Sequence, residues 1–86
     1  MFSVYILYSA KFNKTYVGYS TDIVLRLKWH NELSESGWTK KYRPWKLIYH
    51  EDYSSKSEAM KREKYFKTGV GREKKQKILN NYLNSM

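Results

Sequence analysis

Two short apolar stretches lie near the start of the chain, at residues 4–8 and 15–19, and a polar break separates them. Their pattern of side chains favours β-strands over a helix. The break at residues 11–14 has the composition of a hairpin turn. We therefore predict a hairpin that folds the second strand back beside the first, so that Tyr5 and Tyr16 face one another.

A helical pattern follows the hairpin. Ser20 and Thr21 supply a hydroxyl cap, and Asp22 supplies an acid for the first turn, which together are typical of a helix start. We predict a helix over residues 22–32. The residues predicted to form its core-facing stripe are Ile23, Val24 and Leu27.

Two residues of this helix are candidates for chemistry. Arg26 and His30 lie four residues apart and therefore share one face at the edge of the stripe. We expect Trp29 to lie on the far side of that pair. Taken alone, His30 is explained as a helix-end histidine favoured by the helix dipole, and Arg26 as an ordinary exposed arginine.

Residues 33–43 are polar and predict a loop that carries a basic run. The basic residues of this run are Lys40, Lys41 and Arg43. A run of charge is usually a solvated face. Trp38 and Tyr42 stand beside it, however, and interleaved aromatic side chains make contact with a nucleic-acid strand a competing interpretation.

The second half of the chain predicts one strand and two helices. A β-prone stretch predicts a third strand over residues 45–53, and Ser55 then opens a helix with the spacing of a capping box. Gly69 and Gly71 are predicted to end that helix as left-handed caps, followed by a last helix over residues 72–84. The residues predicted to face inward from the last helix are Ile78, Leu79, Tyr82 and Leu83. Those predicted to extend a basic surface are Lys74, Lys75 and Lys77.

Glu63 is the strongest candidate metal ligand in the chain. Ala59 and Phe66 project from the same face of the second helix, and Glu63 lies on the flank that should be buried. A carboxylate facing a core is costly unless it is paired or bound to a cation. Two interpretations stay open: a metal ligand, or an ion pair with Lys67 or Arg62 on the surface.

Composition narrows the class of protein. The 86 residues suffice for a single domain over 1–86, and the absence of cysteine excludes disulfides and thiolate metal sites. No signal peptide or membrane-spanning stretch is recognisable, so we expect a soluble cytoplasmic protein. A net charge of +9, from 17 basic and 8 acidic residues, points towards a polyanion such as nucleic acid; a merely solubilising surface is the alternative.

These residues resemble the GIY-YIG nuclease superfamily, particularly its small stand-alone bacterial members. Ser3-Val4-Tyr5 stands at the family's first triplet and Tyr16-Val17-Gly18 at its second. Arg26 occupies the arginine position, with His30 one turn later, and Glu63 stands at the metal-binding glutamate. The resemblance implies an α+β fold, in which a small, mainly antiparallel three-stranded sheet is flanked by about three helices.

The resemblance also implies a hydrolase, an endonuclease that cleaves DNA with Mg²⁺ or Mn²⁺. Glu63 would hold the metal, and Arg26 would clamp the scissile phosphate with its donor fork. Tyr5 would be the general base that takes a proton from water, and it would need the metal or Arg26 to lower its pKa. Tyr16 would orient the water or the phosphate, with His30 as a supporting donor or proton acceptor. The alternative for both tyrosines is simple packing under the first helix.

Other expectations are coarser. Gly18 would matter as backbone space, and a protein partner is expected to supply any sequence specificity. The residues expected to contact nucleic acid are Lys40, Lys41, Arg43 and Arg72. Residues 67–72 resemble a tail segment of the same subgroup, whereas Ser3 replaces the first glycine and no late asparagine matches. A non-catalytic nucleic-acid-binding module of the same fold, or an RNA-directed version, is the alternative.

Overall fold

The computed structural model describes residues 1–35 and 37–86. Three strands form one antiparallel sheet of order β2-β1-β3. The strands are β1 (Phe2–Ser9), β2 (Lys14–Ser20) and β3 (Lys46–Tyr53). The helices are α1 (Ile23–Lys28), which continues as a π-helical segment (Trp29–Leu33), α2 (Trp38–Lys41), α3 (Lys56–Tyr65) and α4 (Gly69–Asn84). The predicted α+β class, the hairpin and the antiparallel sheet are therefore confirmed, with more helical segments than the three expected.

The register of the hairpin assigns its side chains to two faces. Val4 pairs with Tyr19 and Ile6 with Val17, so these residues share the face that packs against Ala59 and Phe66 of the second half of the chain. Tyr5 pairs with Gly18 and Leu7 with Tyr16, which puts the two tyrosines together on the opposite face. The two tyrosines therefore lie on the face that α1, the π-helical segment and α2 cover, whereas Glu63 belongs to α3, which packs against the opposite face.

Three predictions for the first helix are wrong. Val24 is 82% exposed, because it lies about 100° around the helix from Ile23 and the sheet covers only one side of so short a helix. Trp29 does not lie beyond the pair of Arg26 and His30. Its ring is 5.1 Å from the guanidinium carbon of Arg26, as side chains three residues apart on a helix should be. Asp22, rather than a hydroxyl, caps α1 by accepting from the Leu25 amide at 3.0 Å.

The segment joining α3 to α4 also differs from expectation. Neither Gly69 nor Gly71 is a left-handed cap; both lie in the first turn of α4, whose N-cap is Thr68. A Cβ atom added to Gly71 would lie 1.8 Å from the carbonyl oxygen of Tyr65, so this glycine permits α4 to pass close to the end of α3. Leu83, predicted to face inward, is 42% exposed, because it lines an open cavity between α4 and the ends of β1 and β3. The predicted loop at residues 33–43 contains α2.

Glu51 of β3 fastens α3 to the sheet. Arg62 donates to both of its oxygens, at 2.8 and 3.0 Å, and the hydroxyls of Tyr49 and Tyr53 also donate to it. Burial opposes ionisation of Glu51, but these donors outweigh it and lower its pKa to about 2.

We expect this clamp to make folding stability depend on acid pH. The pKa of Glu51 is lower in the folded chain than its ordinary value of 4.5, so its contribution is complete above pH 4.5 and is lost as pH falls towards 2. Glu51→Gln should lower the thermal midpoint at neutral pH and flatten its decline between those two values. Circular-dichroism melts along a pH series measure this, with exposed Glu32→Gln as the control. Parallel wild-type and Glu51→Gln curves would contradict it.

Candidate active site

A hydrogen-bonded chain of three buried side chains lies beneath the hairpin. The Tyr5 hydroxyl lies 2.9 Å from Nε2 of His30, and Nδ1 of His30 lies 3.1 Å from the Thr39 hydroxyl. All three residues are buried. β1 positions the phenol, the π-helical segment positions the imidazole, and α2 supplies the threonine. Three separate elements therefore meet at one line of hydrogen bonds, and His30 is buried in it rather than being only a helix-end histidine favoured by the helix dipole.

Burial governs the titration of both ring systems. Burial, followed by the positive charges of Arg26 and Arg43, lowers the pKa of His30 to about 4, so the imidazole is neutral at pH 7. Burial also raises the pKa of Tyr5, and the neighbouring Tyr16 adds to that effect. Arg26 acts in the predicted direction and lowers the pKa of Tyr5, but burial outweighs it. In the free protein Tyr5 is therefore a neutral phenol.

Tyr16 and Gly18 shape the space around this chain. The ring centroid of Tyr16 is 4.8 Å from that of His30 and 6.3 Å from that of Tyr5. A Cβ atom on Gly18 would lie 2.6 Å from the Tyr5 hydroxyl oxygen and 3.1 Å from the Tyr16 ring. Since His30 holds that hydroxyl, a side chain at position 18 would displace the phenol from its partner. The predicted use of Gly18 as backbone space agrees with these distances.

Arg26 borders the same group of residues. Its guanidinium lies over the Trp29 ring and lines a cleft of about 300 Å³ between the end of β2 and α1. Its charge acts on the pKa values of both Tyr5 and His30. Among the described residues no carboxylate forms an ion pair with Arg26. The cation is therefore free to receive an anionic group.

Glu63 approaches the site from α3. Its side chain is 20% exposed and forms an ion pair with Lys67 at 3.0 Å, which is the pairing considered for it as a surface residue. Its negative charge also raises the pKa of Tyr5, so it lies within electrostatic reach of the phenol. Arg26 of α1 and Glu63 of α3 thus both affect the pKa of the Tyr5 hydroxyl, in opposite directions. Within the described chain, no group of three or more His, Asp or Glu side chains gathers into a metal site.

The residues predicted to contact nucleic acid differ in whether the protein's own backbone already occupies their side chains. Arg43 donates to the carbonyl oxygens of His30, at 2.5 Å, and Ser34, at 2.6 Å, so it braces the π-helical segment. Lys40 reaches the Glu35 carbonyl at 2.8 Å on the exposed side of α2. Lys41 and Arg72 are exposed.

Sequence reasoning missed Thr39 and the bracing role of Arg43. Both depend on the fold of residues 33–43, where α2 brings Thr39 under His30, and no spacing along the chain signals this. Arg43 was noticed for its charge, whereas its geometric contribution is to the backbone around His30.

Comparison with known proteins identifies the chain. A family model described as the GIY-YIG catalytic domain matches residues 1–77. The chain belongs to the GIY-YIG family. The predicted resemblance is therefore confirmed, and the sheet, hairpin and helices described above form a GIY-YIG nuclease-like fold.

Individual relatives of this GIY-YIG chain carry the name UPF0213. It is 43% identical over 76 residues to a UPF0213 protein of Staphylococcus haemolyticus, covering 88% of this chain and 90% of the relative. It is 41% identical over 75 residues to the UPF0213 protein YazA of Bacillus subtilis, covering 87% and 75%. The solution NMR structure of a UPF0213 protein from Bacillus halodurans matches with a TM-score of 0.53 and 34% identity, covering 91% of this chain and 83% of that one. None of the helices in the described part of the chain has the length and apolar character needed to cross a bilayer.

Proposed function

We propose that this protein is an endonuclease that hydrolyses phosphodiester bonds in DNA with the help of a divalent metal ion. The observation that carries the proposal is the buried hydrogen bond between Tyr5 and His30, which lies within the electrostatic influence of Arg26 and, for Tyr5, of Glu63. A core packed only for stability has no need for an arginine and a glutamate that both act on one phenol. Membership of the GIY-YIG family supports the same reaction class.

Arg26 is the group proposed to hold the scissile phosphate. Its planar guanidinium suits the two oxygens of a phosphate, and it lies over the Trp29 ring while lining the cleft. A phosphate bound there would offset the positive charge that lowers the pKa of His30. The imidazole would then become a better proton acceptor at the moment the substrate is in place.

Tyr5 and His30 are proposed to move the proton of the attacking water. The water gives its proton to the Tyr5 hydroxyl, and the phenol gives its own proton to Nε2 of His30, 2.9 Å away. The Thr39 hydroxyl at Nδ1 fixes the ring during this exchange. The water oxygen bonds to phosphorus as the bond to the 3′ oxygen breaks. Tyr5 therefore takes up one proton as it gives up another, and it does not need to be a phenolate beforehand. Its raised pKa disfavours the phenolate in the resting protein.

Glu63 is proposed to hold the metal ion. Its single carboxylate suits Mg²⁺, which usually keeps several waters and takes its other ligands from substrate phosphate, and Mn²⁺ is a close substitute. Held by Glu63, such an ion would supply positive charge against the negative charge that develops during cleavage. Glu51 is unsuited to this task because four donors already occupy its oxygens. The flexible side chain of Lys67 must leave Glu63 before a metal binds.

A non-catalytic nucleic-acid-binding module of the same fold is the second candidate. The pairing of Glu63 with Lys67 favours it, because that pair satisfies the carboxylate without a metal. Such a module would bind RNA as well as DNA, because its basic side chains would contact phosphates, which the two nucleic acids share.

Nicking of supercoiled plasmid and branched DNA distinguishes these candidates. We expect the purified protein to nick DNA with Mg²⁺ or Mn²⁺ and to be inactive with EDTA, with RNA of the same sequence cleaved more slowly. Binding without any metal-dependent nicking would favour the non-catalytic module. Preferential cleavage of RNA would instead favour the RNA-directed enzyme.

A further inference from the structure

Three aromatic side chains form an exposed strip on the side of the hairpin turn. The strip consists of Phe12, Tyr42 and Trp38, with ring centroids 5.4 Å apart for the first pair and 4.7 Å for the second. Phe12 is 40% and Trp38 45% exposed, and Tyr42 between them is half-buried. Rings of this size are normally buried, so exposed rings packed in one row mark an interaction surface.

Lysines border the strip. The ammonium group of Lys11 lies 5.4 Å from the Phe12 ring centroid, and that of Lys14 lies 5.5 Å from the Tyr42 ring centroid. Lys40 and Lys41, which follow Trp38 on α2, are both exposed. In the described chain none of these four lysines forms an ion pair with a carboxylate. The surface therefore presents flat rings and unneutralised positive charge together.

The aromatic strip leads directly to the candidate active site. Trp38 and Tyr16 lie nearly parallel, at 29°, with centroids 6.4 Å apart. Tyr16 in turn contacts the His30 ring at 4.8 Å. A chain of bases placed on the strip would thus arrive beside Tyr16.

We propose that the aromatic strip binds single-stranded nucleic acid, with unpaired bases stacked on Trp38 and Phe12 and phosphates against the bordering lysines. Rings interleaved with cations are the combination that a single strand requires, because each nucleotide offers one flat face and one negative charge. A protein partner fits less well, since an interface core is depleted in lysine. The direction of the strand towards the active site rests on the proposed nuclease function. The preferred substrate is then DNA with an unpaired segment next to the cleaved bond.

Binding measured without metal tests the strip separately from cleavage. In EDTA, fluorescence anisotropy of a labelled oligothymidylate and of a duplex of equal length gives both affinities. Trp38→Ala should weaken single-strand binding about tenfold and duplex binding less than about twofold, in keeping with the strength of base–aromatic stacking. Phe12→Ala, in the hairpin turn, should act in the same direction. Val70→Ala, an exposed apolar residue of α4, is the matched control.

A second readout guards against misfolding of the tryptophan variant. Trp38→Phe keeps a ring for stacking, so its single-strand affinity should stay within about twofold, while quenching of tryptophan fluorescence by the oligonucleotide should fall to the part that Trp29 and Trp45 contribute. Equal loss of single-strand and duplex binding in Trp38→Ala and Phe12→Ala would overturn the proposal, as would no loss of either. These outcomes do not depend on whether the protein cleaves DNA.

Discussion

Glu63→Gln is expected to reduce the rate of DNA nicking by about a hundredfold or more while leaving DNA affinity within about twofold. The amide removes the negative charge that a divalent metal needs, and electrostatic groups of this kind contribute about 10²–10³-fold to such reactions. Binding survives because 17 lysines and arginines remain to contact phosphates. Single-turnover nicking of plasmid, with binding measured in parallel, separates the two quantities.

Glu73→Gln is the matched control for this substitution. Glu73 is an exposed carboxylate on α4, so its amide changes the net charge equally without touching the site. Arg26→Ala should lower nicking by a similar factor, since it removes the proposed phosphate clamp. Equal residual nicking by wild type, Glu63→Gln and Arg26→Ala would indicate a contaminating nuclease and end the enzyme proposal.

Local patterns predicted the parts of the site that depend on periodicity. The hairpin follows from strand alternation around Asn13, whose left-handed φ of 52° closes the turn. The helical period put Glu63 on the flank of α3, and the structure keeps it largely buried there. These features could be read from the sequence because each follows from the regular period of one strand or one helix, or from a turn residue.

Features set by contacts between distant segments could not be predicted. The Thr39–His30 hydrogen bond depends on α2 within an expected loop, and the π-helical segment changes which residues share a face after Trp29. The pKa of Tyr5 likewise depends on burial under several elements, which outweighs the nearby arginine. Neither composition nor spacing along the chain indicates which side chains will be buried by residues from other elements.

Gly71→Ala is expected to lower the thermal midpoint of unfolding by about 10 °C or more. A methyl group there would lie 1.8 Å from the Tyr65 carbonyl oxygen, and 2.7 Å from the Cα of Phe66, so two backbone segments must separate. Overpacking of this kind typically costs about 1–3 kcal/mol or more, and each kcal/mol shifts the midpoint of a small domain by about 4–8 °C. The movement would also disturb Phe66, which is fully buried in the core.

Gly69→Ala supplies the matched control, two residues earlier in the same helical turn. Nothing lies within 4 Å of a Cβ atom added at Gly69, so alanine there should raise the midpoint by a few degrees, through its better helix propensity of about 0.5–1 kcal/mol. A lower midpoint for Gly71→Ala and a higher one for Gly69→Ala would show that position 71 requires close packing, rather than that this turn needs flexible glycines in general. Similar small shifts for both variants, measured by calorimetry, would contradict the close approach of α4 to the end of α3, and with it the placement of the core beneath β1.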